Sequence, residues 1–341
     1  MRHVAVIGGG VAGLAAAHRL KLLSEREGRP VGVTVLEASD RFGGKIRTDR
    51  SEGVVIEAGP DSFLTVKPDA IALARQLGLG DRIIPTAQEA RDVYVFARGR
   101  LRRFPEGLLL MAPTRIRPFL VSDIVTWRGK LRMALERFLP AGGQDDESLA
   151  DFTRRRLGRE ALDTIVDPMM AGIYAGDAES LSLKSTFPQF PELERRYGSV
   201  IRGLRATAKA KPPGTPALTP FASLAGGLEE LVEGLVRSLG MGSLRSRAPV
   251  QSLRRAGQGY EVAAGGGALR ADSVILALPA ADAAAALQAA DPYLAGLLRE
   301  IPAVSTATVT LAFNSDAIPS LPKGFGFVVP RTAGRSISAA T

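Results

Sequence analysis

Three glycines in a row, Gly8, Gly9 and Gly10, followed by Val11, Ala12 and Gly13, stand between an apolar run at 4–7 and an alanine-rich helical pattern. A second apolar run, 31–36, ends at Glu37. Strand, glycine turn, helix, strand and terminal acid are the parts of a dinucleotide-binding βαβ unit. Each has a mechanical reason: Gly8 permits a tight turn, Gly10 lets backbone approach a pyrophosphate, and Gly13 lets the helix pack closely on the sheet. The amides and dipole of the helix start then favour the anion without a basic side chain. Glu37 is placed to accept hydrogen bonds from both hydroxyls of a ribose, and it would repel a 2′-phosphate.

Alone, G-x-G-x-x-G is a weak signal; its place between a strand and a helix, with the acid about two dozen residues on, makes it informative. A glycine-rich turn in an ordinary α/β protein is the plain alternative. A secretory signal is another, since Arg2 and His3 precede an apolar stretch, but three consecutive glycines break the required apolar core.

The 341 residues suffice for two or three folded parts. With no cysteine, disulfides, thiolate metal sites and cysteine nucleophiles are excluded. Only two histidines exist, His3 and His18, both inside the glycine-loop unit, where structural roles are expected. Little room is left for a zinc site, a Ser-His-Asp triad or a histidine base, so an enzyme of this composition must rely on a cofactor.

The formal net charge is +9, and its location matters more than its size. Between residues 98 and 137, ten Lys or Arg face three acids, interleaved with Phe104, Met111, Phe119, Trp127 and Phe138. This mixture suits a membrane surface or an apolar ligand bearing carboxylates. No nucleic-acid module is recognisable, and nucleic acid is not an expected partner. The longest apolar runs fall short of the ~20 residues of a membrane span, so the chain is expected to be soluble or peripheral at most.

Along the chain, an extended piece at 54–57 precedes Gly59-Pro60-Asp61-Ser62-Phe63, and 68–79 reads as a helix ending at Gly80. Runs 93–97 and 101–104 form a plausible hairpin. The 105–212 stretch is mostly helical in pattern, punctuated by prolines, with an amphipathic segment at 147–157 stopped by Gly158. Residues 211–216 look like a linker. After them α/β character returns: a helix at 228–239, a strand near 244–253, a hairpin through 265–267 and a buried strand at 274–278 closed by Pro279. The expected fold is therefore α/β plus α. A discontinuous Rossmann-like nucleotide-binding domain (1–90 and 213–280) carries a helical insertion (91–212) and part of a mixed-sheet substrate domain (281–341). Runs 325–329 and 337–340 read as strands, and the chain stops inside the second, which is expected of a truncation.

Taken together, the glycine loop, Glu37, Arg41-Phe42-Gly43-Gly44-Lys45 and Glu57-Ala58-Gly59-Pro60-Asp61-Ser62-Phe63 resemble the FAD enzymes of the amine oxidase and protoporphyrinogen oxidase superfamily. Two further stretches, Ala171-Gly172-Ile173-Tyr174-Ala175-Gly176-Asp177 and Ser185-Thr186-Phe187-Pro188-Gln189-Phe190, look like the porphyrinogen oxidases of heme synthesis; amine oxidases lack them. Animal and plant members place an arginine where Val93 stands here, with Arg91 nearby, so the pattern is closer to the Gram-positive bacterial type, which acts on coproporphyrinogen III.

The resemblance implies that Gly8, Gly9, Gly10, Val11, Ala12 and Gly13 hold the FAD pyrophosphate, and Glu37 with the Ala38 backbone the adenosine ribose. Lys45, Gly59, Pro60, Asp61 and Ser62 would line the flavin, and the Val250 backbone would meet the adenine. Lys67, Gly172, Ile173 and Tyr174 would meet the substrate. No catalytic side chain is expected. The implied chemistry is hydride loss from a porphyrinogen to FAD, with molecular oxygen as final acceptor. Protoporphyrinogen IX is the alternative substrate; flavin amine oxidase or desaturase chemistry, or an inactive binding fragment, are the other readings. A downstream heme-pathway enzyme is an expected partner. The expected location is cytoplasmic, with peripheral contact to the inner face of the cell membrane left open.

Overall fold

The computed structural model describes residues 1–87, 92–109, 111–142, 145–174, 176–209, 219–318 and 324–341. Arg91, Ala175 and the 211–216 stretch expected to be a linker lie outside them. Two compact units result: Met1–Thr86 with Ala217–Ala312, and Ala87–Pro216 with Phe313–Thr341.

The first unit is built on a four-stranded parallel sheet in the order Leu244–Arg245, Val31–Leu36, Arg2–Ile7, Ser273–Leu276. Its register places Ile7 beside Leu36 on one side and Leu276 on the other. Successive residues from Val4 to Ile7 are apolar because both sheet faces are covered. Val6 and Val35 face the helices Val11–Glu27 and Glu229–Leu239, in a core with Leu14, Ala17, Val232 and Leu235. Ala5, Ile7 and Leu36 face the other way, toward Leu253, Val262, Ala284 and Leu287. Those residues belong to an antiparallel sheet, Val250–Ala256, Gly259–Ala264 and Gly267–Ala271, and to the helix Ala280–Leu287. Gly28, at φ 62°, ends the first helix.

Two expectations are corrected here. The run 244–253 is not one strand: Leu244–Arg245 joins the parallel sheet and Val250–Ala256 the antiparallel one. Residues 281–312 were expected in the substrate domain, but they fall in the first unit, because the alanine face of Ala280–Leu287 packs on that antiparallel sheet. Beyond them, 302–312 run without a ladder partner and are exposed; the Thr308 hydroxyl reaches the Ala58 carbonyl at 3.4 Å.

The second unit gathers short helices, among them Trp127–Ala134, Leu149–Arg156, Asp167–Tyr174 and Gln189–Tyr197, around Phe152, Phe190, Ile165 and Met133. Ser148 caps Leu149–Arg156 by accepting the Asp151 N–H. A fully buried Arg156 is ion-paired with Glu194 at 3.1 Å and Glu136 at 3.4 Å. A mixed sheet runs Ala339–Ala340, Gly326–Val328, Val93–Ala97, Arg100–Arg103, the last pair being the expected hairpin. Among the described residues no helix is long and apolar enough to cross a membrane.

Candidate functional site

A cavity of about 970 Å³ opens in the first unit where the parallel strands end. Its wall includes Gly8, Gly10, Val11, Ala12, Glu37, Ala38, Lys45, Pro60, Ser62 and Val250, ten of the fourteen residues expected around a cofactor. Position on the chain explains the grouping, since loops at the carboxyl ends of neighbouring parallel strands converge on one crevice.

The glycines divide into two kinds. Gly8 sits at φ 108°, and a Cβ there would lie 2.4 Å from the Ala277 carbonyl oxygen. At Gly13 a Cβ would lie 1.9 Å from the Gly8 carbonyl oxygen, so this position is filled by protein and is not on the cavity wall. Gly10 differs: a Cβ there would meet only the Gly44 Cα, at 4.0 Å, and would otherwise project into open space. Gly10 also begins the helix Val11–Glu27 without any side-chain cap, and no acid occupies the first turn. The first amides are therefore left for a ligand, and with the helix dipole they suit an anion.

Glu37 is aimed at this turn. Its Oε2 accepts the Gly9 N–H at 2.7 Å, while Oε1 accepts the Ser39 N–H and hydroxyl, both at 2.9 Å. The carboxylate is fixed before any ligand arrives, and Oε2, with one donor already, can accept a further bond. Gly9 is tucked behind it, where a Cβ would stand 2.8 Å from the Glu37 Cβ.

The Arg41–Ile46 loop closes the near side. Gly43 donates its N–H to the Gly9 carbonyl at 2.8 Å, and Gly43 and Gly44 take φ of 110° and 58°. Arg41 holds the loop from outside, donating to the carbonyls of Gly44, Ile46 and Phe42 at 2.5, 3.0 and 3.3 Å. Gly59 lies off the wall; a Cβ there would be 2.1 Å from the Lys45 carbonyl oxygen, so it lets two lining segments touch. Asp61 is also off the wall, accepting the Ser62 hydroxyl at 2.7 Å through its carboxylate and the Ser223 hydroxyl at 2.7 Å through its carbonyl.

The substrate expectations are not gathered at this cavity. Lys67 is exposed on the first unit, away from the wall, with no side-chain hydrogen bond or ion pair among the described residues. Gly172 lies in the second unit on the helix Asp167–Tyr174; Ile173 and Tyr174 end that helix, and their side chains lie outside the description. Neither histidine reaches the cavity wall: His3 pairs with the Thr34 hydroxyl and His18 with the Ser238 hydroxyl, both at 2.9 Å. Burial pushes the His18 pKa down, so it rests neutral.

Sequence reasoning assigned no site role to Gln251, Asp282 or the Ala277-Leu278-Pro279 turn, all on the wall with Gly43 and Gly44. A signal for the turn existed: it follows a strand parallel to Arg2–Ile7, so it had to open beside the first glycine loop.

The group suggested by these features is a dinucleotide: uncapped amides, a fixed acid beside them and a long backbone-lined crevice fit FAD. Comparison with known proteins agrees. The profile described as flavin containing amine oxidoreductase matches residues 11–339. Coproporphyrinogen III oxidase of Bacillus subtilis is 36% identical across 100% of this chain and 73% of its own length. That of Propionibacterium freudenreichii is 34% identical across 96% and 66%. Human protoporphyrinogen oxidase is 34% identical across 96% and 70%. The chain thus spans about two thirds to three quarters of these relatives. A solved structure from Exiguobacterium, assigned as a protoporphyrinogen oxidase, superposes with a TM-score of 0.81 at 29% identity, covering 99% of this chain and 72% of that one. Putrescine oxidase, at 22% identity and a TM-score of 0.57, shares the fold. The chain belongs to the flavin-containing amine oxidoreductase family and is an FAD-dependent oxidoreductase.

Proposed function

We propose that this chain oxidises coproporphyrinogen III to coproporphyrin III in heme synthesis, using FAD and molecular oxygen. The observation that carries the cofactor half is the crevice at the uncapped helix start with Glu37 fixed beside it. The substrate half is supported by the relatives, named as coproporphyrinogen III oxidases at 34–36% identity.

In this reading the first unit is a discontinuous, Rossmann-like FAD domain and the second a substrate domain. The Val11 and Ala12 amides take the pyrophosphate across the open space at Gly10. Glu37 and the Ala38 backbone take the ribose, and the Val250 backbone, where the ladder to Gly259–Ala264 is irregular, takes the adenine. Lys45, Pro60 and Ser62 line the flavin side, with Gly59 and Asp61 shaping that wall from behind. Gly8, Gly9 and Gly13 act through the closeness of their backbones. Lys67 is a cation for a propionate, and Gly172, Ile173 and Tyr174 form a wall for the macrocycle.

Bound FAD supplies hydride acceptance from a methylene bridge and reoxidation by oxygen to hydrogen peroxide. Six hydrogens leave each porphyrinogen in three rounds, consuming three O2 and giving three H2O2. The pyrrole system sheds its own protons, so the protein's part is to orient the flat substrate and exclude water. A chain with two histidines, both engaged structurally, is adequate for that.

Protoporphyrinogen IX is the second reading, favoured by the human relative. A peripheral contact with the inner face of the cell membrane goes with either, in a cytoplasmic protein passing its porphyrin to a later heme-pathway enzyme. Its support is the exposed stripe Trp127, Leu131, Leu135 and Phe138, flanked by Arg128 and Arg137, which have no carboxylate partner among the described residues.

The test is direct. The purified chain is expected to be yellow and, given oxygen, to develop porphyrin fluorescence faster from coproporphyrinogen III than from protoporphyrinogen IX. Bound flavin with no porphyrin formed from either would overturn the proposal in favour of amine oxidation or desaturation.

A further inference from the structure

We infer that Arg331 is a positioning residue for the porphyrinogen, tying Asp177 to Asp167 at the start of the helix Asp167–Tyr174 so that Gly172, Ile173 and Tyr174 stand where substrate binding needs them. The inference rests on the substrate role proposed above for those three residues.

Three contacts carry it. The Arg331 guanidinium lies 2.6 Å from Asp177 Oδ1 and 3.6 Å from Asp167 Oδ1. Asp167 is the first residue of the helix and Asp177 follows its end, and one guanidinium nitrogen touches both carboxylates, so the cation ties Asp177 back to the helix start. Between them, Gly172 presses on the strand Gly326–Val328: a Cβ there would lie 3.0 Å from Val328 Cγ1. That strand pairs in parallel with Val93–Ala97, with Phe327 opposite Tyr94, and Arg331 follows it by three residues. The helix is thus held at its first residue by a cation shared with Asp177 and sideways by a glycine contact further along.

The electrostatics agree with a clamp. Burial pushes the Asp167 carboxyl above the ordinary range and Arg331 opposes that push; the hydrogen bond from Arg331 draws Asp177 below it. Asp177 is held ready by its own turn, accepting the Glu179 N–H at 2.9 Å. With half of the Arg331 side chain exposed, these pairs add little to overall stability. Their consequence is placement, and a displacement of about 1 Å in a positioning group is enough to alter turnover of a bound substrate.

The experiment uses the flavin-loaded full chain. Arg331→Met and Asp177→Asn are each expected to raise KM for coproporphyrinogen III by about 10-fold, with kcat and flavin occupancy within about 2-fold of wild type. The charge-exchanged double variant Arg331→Asp/Asp177→Arg should recover most of that loss, which a merely structural role would not produce. An unchanged KM in either single variant, or a joint fall of KM performance, kcat and flavin occupancy without recovery in the exchange, overturns the inference. A wild-type chain that binds flavin and leaves porphyrinogens untouched overturns the functional reading itself, and the inference with it.

Discussion

At the scale of single residues, the glycine loop contains positions that respond to the same substitution in opposite ways. Gly13→Ala places a methyl 1.9 Å from a backbone oxygen, so it is expected to destabilise the apoprotein by on the order of 1–3 kcal/mol or more, seen as a lower Tm by circular dichroism. Gly10→Ala meets no such neighbour. It should leave the apoprotein Tm within a few degrees of wild type and still weaken FAD binding at least about 10-fold on fluorescence titration, because its methyl enters the space the phosphates need. Equal effects of the two on apoprotein stability would sink this division. Glu37→Gln removes the charge and turns one acceptor oxygen into a donor; a loss of flavin affinity of about 1–3 kcal/mol is expected for an acceptor shared between Gly9 and a ribose, and unchanged occupancy would count against the assignment. The motif made Gly8, Gly10, Gly13 and Glu37 legible before any coordinates, because each depends on local backbone geometry. Lys67 was not legible in the same way: nothing in its neighbours along the chain says where a long exposed side chain ends.

Elements show the same contrast between local and distant causes. The Val31–Leu36 and Val54–Glu57 strands match their sequence runs because short apolar runs and bounding turns are local signals. The break of 244–253 into two strands was hidden, since which sheet a residue joins depends on partners far along the chain. Arg41 belongs here: three carbonyls of one loop converge on its guanidinium, so Arg41→Met should loosen Gly43 and Gly44 against Gly9. Flavin affinity is expected to fall by about 10-fold with the far-ultraviolet spectrum preserved. In the second unit, Arg156→Met leaves Glu136 as a buried carboxylate without its cation and Glu194 with Arg155 alone, at 2.7 Å. A loss of about 3–5 kcal/mol in denaturant unfolding is expected, and a neutral result would show that water reaches them. Acid should act on the Asp167–Tyr174 helix unevenly. As pH falls, Asp167, held above the ordinary carboxylate range, takes its proton first, while Asp177, held below it, keeps its pair with Arg331 to lower pH; carboxyl carbon NMR reads both.

For the molecule as a whole, two units of different construction share one chain. The cavity described here lies within the unit made of Met1–Thr86 and Ala217–Ala312, so FAD at about 100 times its Kd should stabilise that unit by about 2.7 kcal/mol, with slowed amide exchange at Arg2–Ile7 and Ser273–Leu276 as the readout. Placement of 281–312 in that unit could not be read from the sequence, since an alanine-rich helix carries no mark of which sheet it covers. The exposed stretch near the end of that unit has a consequence of its own. Residues 303–312 hold no charge and no proline, are rich in valine and threonine, and offer unladdered amides and carbonyls to the surroundings. Crowded copies should therefore zip together edge to edge, with light scattering that climbs steeply with concentration, and a single gatekeeper such as Val309→Lys should keep the solution clear.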